Sequence, residues 1–167
     1  SLVATRDGLS LAFDSQPIGG AALDLGQPAL PDATRDACVA ADAVLLGAVG
    51  APKWDHLPRE TRCETGLLRL RQAMGVFANL RPARGNGIDM MIVRELVGGL
   101  YFGEKGIRED GTWFDTCEYS RPEVERIARR GFEAAQSRGG RLTSVDKVNV
   151  MHTSRLWRDV VTEMGAA

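Results

Sequence analysis

The sequence lacks the features that mark several specialised classes of protein. It carries 21 lysines and arginines against 22 aspartates and glutamates, so there is no excess charge to attract nucleic acid. Its longest apolar run, residues 43–49, is far shorter than the roughly 20 residues that span a bilayer. Its first residues also lack the basic and apolar regions of a secretory signal. We therefore expect no nucleic-acid partner, no membrane partner and a cytoplasmic location.

Cysteine and histidine are also scarce. Cys38, Cys63 and Cys117 are widely separated, show no C-x-x-C spacing and have no accompanying histidine pattern. This spacing is typical of reduced, buried thiols and argues against both a zinc site and a disulfide framework.

Glycine, by contrast, is abundant, with 19 of the 167 residues, about 11% where ~7% is usual. The glycines cluster between segments of apolar periodicity, where turns between strands and helices are expected. Apolar residues make up 44% of the chain, which is enough for a sizeable core. Together these features predict an α/β fold.

Apolar periodicity predicts a succession of helices and strands. Helices are predicted to begin at Pro31, at Glu64 and at Ser120, where Glu123 completes a capping box, and a last helix carries its apolar face over residues 156–164. A helical turn is predicted at residues 2–6, and strands at residues 9–13, 43–49, 77–80, 90–93 and 141–146. Residues 98–103 and 113–119 are predicted as the two arms of a β-excursion. Because helices alternate with a continuous apolar strand, we expect a parallel sheet.

Three arginines are candidate ligands for a small dianion. Arg81 and Arg94 directly follow predicted strands, and Arg71 lies near the end of a predicted helix. Ligands bind at the carboxyl ends of strands in parallel α/β sheets, and a guanidinium matches a carboxylate in a bidentate pair. The alternative, three unrelated surface arginines, stays open on the residues alone.

A tyrosine and a lysine are candidate acid and base. Tyr101 lies in a glycine-flanked segment after Arg94, and Lys147 directly follows the predicted strand 141–146. A lysine near other cations can act as a base, and a nearby phenol can return a proton. Without further information, core packing for Tyr101 and a solvated helix start for Lys147 remain alternatives.

These candidates fall within short motifs that occur in a known order. The motifs are residues 64–71 (ETGLLRLR), 77–82 (FANLRP), 93–96 (VREL), 98–103 (GGLYFG) and 144–149 (SVDKVN), preceded by 19–22 (GGAA) and 41–55 (ADAVLLGAVGAPKWD). In this order they resemble the isocitrate/isopropylmalate dehydrogenase family, and within it the 3-isopropylmalate dehydrogenases. The resemblance covers nearly the whole chain.

The resemblance implies a fold, a reaction and residue roles. The fold is that of the family, with Rossmann-like parallel or mixed sheets and a β-arm, but incomplete. The reaction is NAD-dependent oxidation and decarboxylation of 3-isopropylmalate in leucine biosynthesis, assisted by Mg or Mn. The arginines would bind the malate carboxylates and Tyr101 would act as the late acid. Lys147 would act as the base in the neighbouring subunit's site of a homodimer.

The helix that begins at Glu64 bears on substrate choice. Related dehydrogenases act on isocitrate, homoisocitrate and tartrate, and share the arginines, the tyrosine and the lysine. Leu67 and Leu68 would offer apolar surface to an isopropyl branch, worth about 1.5–3 kcal/mol if buried like a Val or Leu side chain. Isopropylmalate is therefore favoured, with Glu64 a further substrate-binding candidate, although both leucines could instead be helix core.

The chain also departs from the family pattern. The family's metal ligands and its NAD-binding loop have no counterpart here, so we nominate no metal or cofactor ligand. The link at residues 82–87 is much shorter than usual, which could displace Arg81 or Arg94. By the family's layout, residues 1–76 belong to a first lobe and residues 77–167 to a dimer-forming lobe with the arm at 98–119. The alternative to an incomplete enzyme is a non-catalytic remnant or dimerising module.

Overall fold

A computed structural model describes residue 8 and residues 10–166. The helical turn predicted at residues 2–6 and the first residue of the strand predicted at 9–13 lie outside this part of the chain. The chain divides into two compact units, Ser1–Met74 and Gly75–Ala167. Whether they correspond to the two lobes predicted above stays a prediction. No helix in the described part of the chain is both long and apolar enough to cross a membrane.

The first unit is built from short helices. Helices α1, α2 and α3 span Gly20–Asp24, Asp32–Ala40 and Cys63–Ala73, and two single 3₁₀ turns span Pro52–Trp54 and Arg59–Thr61. The helices predicted to begin at Pro31 and Glu64 are therefore confirmed to within one residue. Leu30, Cys38 and Leu70 form the buried core of this unit, with Ile18 and Met74 packed against it.

The predicted buried strand at residues 43–49 is wrong for the described structure. The segment is irregular and exposed, with Leu45 96% accessible to solvent. A strand needs a neighbour for its ladder hydrogen bonds, and no described segment pairs with this one. One backbone hydrogen bond between described residues, from the Gly20 N–H to the Val49 carbonyl oxygen at 2.7 Å, contacts the last residue of this segment.

The second unit begins with an antiparallel hairpin. Strands β1 (Ala78–Gly85) and β2 (Ile88–Glu95) pair from Ala78 opposite Glu95 to Gly85 opposite Ile88. Both strands exist as predicted but are longer, because the supposed link at residues 82–87 is mostly strand. Asn86 and Gly87 form the turn with φ of 49° and 80°, which fits the two-residue I′ turn that Asn-Gly favours.

The β-excursion is confirmed as an antiparallel arm. Gly99 bridges Glu118 at its base, and β3 (Lys105–Ile107) pairs with β4 (Trp113–Asp115) farther out. Part of the segment predicted to join the two arms is thus strand itself. Trp113, opposite Ile107 in the register, is 79% exposed.

Two long helices complete the second unit. Helix α4 (Arg121–Gln136) begins at the predicted capping box, where the Ser120 N–H donates to the Glu123 carboxylate at 2.7 Å. Helix α5 (His152–Ala166) packs against it, and Val124 of α4 and Val160 of α5 are both fully buried. The amphipathic spacing thus predicted both helices correctly.

The expected parallel sheet is wrong within the described residues. Every strand pair there is antiparallel, and residues 10–13 and 141–146 form no strand. Phe13 and Val145, predicted inside strands, are 75% and 85% exposed. Apolar alternation indicates which residues suit a strand, but only a neighbouring strand supplies the hydrogen bonds that form one.

Candidate functional site

The hairpin places two of the candidate arginines on one face. Asn79 lies opposite Arg94 in the register, and Arg81 lies opposite Ile92. Since side chains alternate between faces along a strand, Asn79, Arg81 and Arg94 share a face. The Arg81 Nε donates a hydrogen bond to the Asn79 side-chain oxygen. The terminal nitrogens of Arg81 thus keep their donors for another acceptor.

This geometry corrects one step of the sequence argument. Arg94 lies one residue before the end of β2, as expected, but Arg81 lies in the middle of β1. The two side chains are neighbours because the strands run antiparallel with a two-residue turn, and not because parallel strands end at one edge. The short link at 82–87 is therefore compatible with both arginines occupying one face.

Tyr101 belongs to the same group of side chains. The Arg94 Nη2 donates a hydrogen bond to the Tyr101 phenol oxygen, and the Arg94 guanidinium carbon lies 5.3 Å from the centre of the tyrosine ring. Both residues are half-buried. The structure thus brings together three of the predicted site residues, Arg81, Arg94 and Tyr101, within the second unit.

Helix α3 carries the other candidate substrate-binding residues. Glu64, Leu67, Leu68 and Arg71 are spaced at i, i+3, i+4 and i+7, so they form one stripe along the helix. The buried residues of α3 are Cys63, Gly66 and Leu70, while Leu67, Leu68 and Arg71 are half-buried and Glu64 is exposed. Neither leucine belongs to the buried core of the first unit, which leaves both available for contact with a ligand.

Lys147 lies in a separate loop, held by α5. Its backbone N–H donates to the Ser154 hydroxyl at 3.0 Å, and its side chain is exposed. Among the residues that the structure describes, the Lys147 ammonium makes no hydrogen bond to Tyr101. The preceding Asp146 is structural, since Arg158 donates two hydrogen bonds to its carboxylate at 3.0 and 2.8 Å. These hydrogen bonds lower the pKa of the Asp146 carboxyl, against the opposing effect of desolvation.

The described residues do not fit a metal site. Over residue 8 and residues 10–166, no three side chains of His, Cys, Asp or Glu come close enough to hold a metal ion.

Comparison with known proteins gives the chain's family. The sequence pattern of the isocitrate/isopropylmalate dehydrogenase family matches residues 1–167. A 3-isopropylmalate dehydrogenase of Synechococcus sp. (strain CC9605) is 52% identical over 182 aligned positions, covering 98% of this chain and 51% of that protein. One from Oleidesulfovibrio alaskensis is 51% identical, covering 96% of this chain and 50% of its own length. This chain belongs to the isocitrate/isopropylmalate dehydrogenase family.

Solved structures agree with this membership. A β-decarboxylating dehydrogenase from Thermococcus kodakarensis is 30% identical with a TM-score of 0.72, covering 98% of this chain and 49% of that structure. An isocitrate dehydrogenase from Methylococcus capsulatus is 28% identical with a TM-score of 0.71, covering 98% and 51%. The predicted family fold is thus confirmed, and the chain spans about half the length of the curated relatives it matches.

This chain is shorter than the region of the Synechococcus relative that it matches. The alignment with the Synechococcus relative has 182 positions and the chain has 167 residues, so at least 15 positions (182 − 167) have no residue here. In the structure, the segment at residues 82–87 closes with the turn at Asn86 and Gly87.

Sequence reasoning missed two residues that support the site. Asn79 orients Arg81 through a hydrogen bond. Because it lies two residues before Arg81 on a predicted strand, the sequence already indicates that the two side chains share a face. Glu95 is buried directly behind Arg94 and binds the backbone of the turn that follows. A carboxylate among apolar residues at a strand end was its signal in the sequence.

Proposed function

We propose that this chain carries the carboxylate-binding part of an NAD-dependent 3-isopropylmalate dehydrogenase. That enzyme oxidises the hydroxyl carbon of 3-isopropylmalate and releases carbon dioxide, a reaction of leucine biosynthesis that uses Mg or Mn. The observation that carries the proposal is the grouping of Arg81, Arg94 and Tyr101. The names of the relatives support the choice of substrate.

The two arginines of the hairpin bind a carboxylate of the substrate. Asn79 occupies one donor of Arg81 and Tyr101 occupies one donor of Arg94, which orients both guanidiniums while most of their donors stay free. A planar guanidinium with free terminal nitrogens favours bidentate carboxylate binding. On the resemblance, Arg71 is proposed as the third carboxylate-binding arginine.

Tyr101 holds the proton that the reaction needs late. A guanidinium has only donors, so the phenol oxygen accepts from Arg94, and the phenol's own proton is left for an acceptor on the substrate. Tyr101 is therefore suited to act as a general acid.

Lys147 is proposed as the general base, acting in the partner subunit's site of a homodimer. The loop that carries it is anchored by Ser154 through the backbone, and Asp146 is occupied by Arg158. The anchoring leaves the Lys147 ammonium exposed while its backbone is held. That arrangement suits a side chain that reaches outward from its own subunit.

The stripe on α3 supports isopropylmalate as the substrate. Leu67 and Leu68 are half-buried and lie beside Arg71, so they offer apolar surface next to a cation. A third carboxylate, as in isocitrate, would gain nothing from them. Glu64, at the start of the same stripe, completes the proposed substrate-binding residues.

Ligand binding by the chain itself tests this proposal. NMR titration with 3-isopropylmalate is expected to shift amide signals of β1, β2 and the Tyr101 segment, more strongly than isocitrate does. Arg94→Gln should weaken binding about 10-fold or more, since a hydrogen bond to a charged group contributes about 1.5–3 kcal/mol. The matched control is Arg84→Gln, because Arg84 lies on the opposite face of the same hairpin with a 70% exposed side chain. It should leave the affinity within about two-fold.

Three outcomes would contradict the proposal in different ways. Absence of binding would favour the non-catalytic module, and stronger binding of isocitrate would overturn the substrate assignment. Turnover is assayed with NAD, Mn and 3-isopropylmalate, and no NADH is expected from this chain alone. NADH formation would show that the chain holds metal and cofactor sites that the described residues do not reveal.

A further inference from the structure

Glu95 is a buried carboxylate with no role in the chemistry above. It ends β2 immediately after Arg94, and its side chain is 1% exposed. Burying a charge is costly unless hydrogen bonds and an opposite charge compensate for the lost water. The contacts of Glu95 therefore indicate what its burial accomplishes.

Each oxygen of the Glu95 carboxylate has its own partners. Oε1 accepts from the Arg126 Nη2 at 2.9 Å, and Arg126 in turn stacks its guanidinium over the Phe77 ring at 4.8 Å. Oε2 accepts from the backbone N–H groups of Val97 and Gly98 at 2.9 and 2.6 Å. One carboxylate thus ties helix α4 to the first turn after the hairpin.

That turn is also held from its other side. A Cβ on Gly98 would lie 2.8 Å from the Tyr119 ring, so only glycine lets the backbone lie this close. The Gly99 N–H donates to the Glu118 carbonyl oxygen at 2.8 Å. Tyr101 follows two residues after Gly99, and its phenol oxygen accepts the hydrogen bond from Arg94.

The charge of Glu95 lies away from the proposed binding face. Successive side chains of a strand point to opposite faces, so Glu95 is directed to the α4 side and Arg94 to the other. The carboxylate therefore compensates Arg126 and leaves the positive charge of Arg94 for a ligand.

We infer that Glu95 is a positioning residue for Tyr101, which acts by fixing the backbone turn at Val97 and Gly98. The role in catalysis rests on the function proposed above, but the positioning itself does not. Only a carboxylate offers acceptors on both sides, to a guanidinium and to two N–H groups. Glutamine would turn its NH₂ towards one set of donors.

The chain's two tyrosines, Tyr101 and Tyr119, make the inference directly measurable. The 167-residue chain is labelled with 3-fluorotyrosine, and Tyr101→Phe assigns the two ¹⁹F signals. The chemical shift of the Tyr101 signal in Arg94→Gln serves as the reference for a Tyr101 that has lost its contact with Arg94. In Glu95→Gln we expect the Tyr101 signal to move at least halfway to that position.

Glu123→Gln is the matched control. Glu123 is a carboxylate on α4 that lies 3.9 Å from the same Arg126 nitrogen but does not bind the turn. It should leave the Tyr101 signal in place. An unmoved Tyr101 signal in Glu95→Gln, or an equal movement in both variants, would overturn the inference.

A double variant keeps the test decisive if Glu95→Gln disturbs folding. Glu95→Gln is combined with Arg126→Gln, so that an amide stands at each of the two positions. The amide oxygen at position 95 can then accept from the backbone N–H groups of Val97 and Gly98, while the NH₂ at position 95 donates to the amide oxygen at position 126. We expect the Tyr101 signal to return at least halfway to its native position, and no recovery would contradict the inference. The ligand titration described above is separate, so a chain that shows this ¹⁹F pattern but binds no 3-isopropylmalate refutes the proposed function alone.

Discussion

The Tyr101 phenol oxygen accepts a hydrogen bond from the Arg94 guanidinium, although the two residues belong to different local structures. Arg94 stands on a regular strand and Tyr101 in an irregular segment that leaves the hairpin. The chain returns to its own strand within seven residues because the turn between them is bound by Glu95 and packed against Tyr119. Tyr101, the proposed acid, and Arg94, a proposed carboxylate-binding residue, thus belong to one local arrangement that these contacts hold.

Removing the Tyr101 hydroxyl should reduce stability measurably. Tyr101→Phe deprives the half-buried Arg94 of an acceptor, and we expect a loss of about 0.5–1.5 kcal/mol in the free energy of unfolding by urea. Tyr119→Phe is the control, since the Tyr119 hydroxyl has no hydrogen-bond partner in the described part of the chain. Equal losses in the two variants would argue against the Arg94 hydrogen bond.

The hairpin turn is expected to depend on Gly87. Its φ of 80° is strained for any residue with a Cβ, so Gly87→Ala should cost about 1–2 kcal/mol of stability. Urea unfolding monitored by circular dichroism measures the loss. Because the turn sets the register that places Arg81 and Arg94 on one face, the variant should also weaken 3-isopropylmalate binding. An unchanged stability would show that the turn is not the one described.

A glycine inside α4 offers the opposite result. Gly131 is buried in the helix interior, and an added Cβ would meet Leu142 at 3.5 Å, an ordinary contact distance. Gly131→Ala should therefore stabilise the chain by about 0.5–1 kcal/mol, since alanine loses less backbone entropy in a helix. Thermal unfolding beside the parent chain is the measurement. A lower midpoint would mean that α4 and the segment at Leu142 are packed more tightly than described.

The pair of Asp146 and Arg158 predicts a specific dependence of stability on pH. The pKa of Asp146 is lowered in the folded chain by the Arg158 hydrogen bonds. Its stabilising effect is therefore fully present above the unfolded value of about 3.9 and is lost as the pH falls through the lower folded value. The melting temperature of Asp146→Asn should lie below that of the parent at about pH 5–7. The difference should begin to narrow below about pH 4 and close once the pH is under the lowered folded pKa.

Asp159→Asn provides the comparison for that profile. Asp159 follows Arg158 on the same helix and forms no ion pair with any residue that the structure describes. Its replacement should not produce a pH-dependent difference. A gap for Asp146→Asn that persists unchanged to the lowest pH would show that Arg158 does not hold the carboxyl in its charged form.

Local patterns predicted the helices well and the strands poorly. The capping box at Ser120 and the apolar spacing of α3, α4 and α5 depend on residues three and four apart, which the chain itself brings together. Residues 43–49 and 141–146 have equally suitable side chains but form no strand. A strand depends on a distant partner, and apolar character does not specify whether one is there.

The candidate site divides along the same line. The motifs alone were enough to name the candidate residues, because residue type and order are properties of the sequence. These residues are Arg71, Arg81, Arg94, Tyr101 and Lys147. Only the tertiary structure places Arg81 and Arg94 on one face, because the two strands pair antiparallel in one register across a two-residue turn. Register is a long-range property, since a shift of one residue would turn one arginine to the opposite face.

Residue identity therefore determined the family and the chemical groups, and tertiary structure decided which of those groups meet. Glu95 shows the difference most clearly. Its sequence context marks only a charge beside apolar residues, whereas its function depends on Arg126, which lies 31 residues later along the chain. Contacts of that kind exist only after packing has offset the cost of burying the charge, so a local pattern cannot contain them.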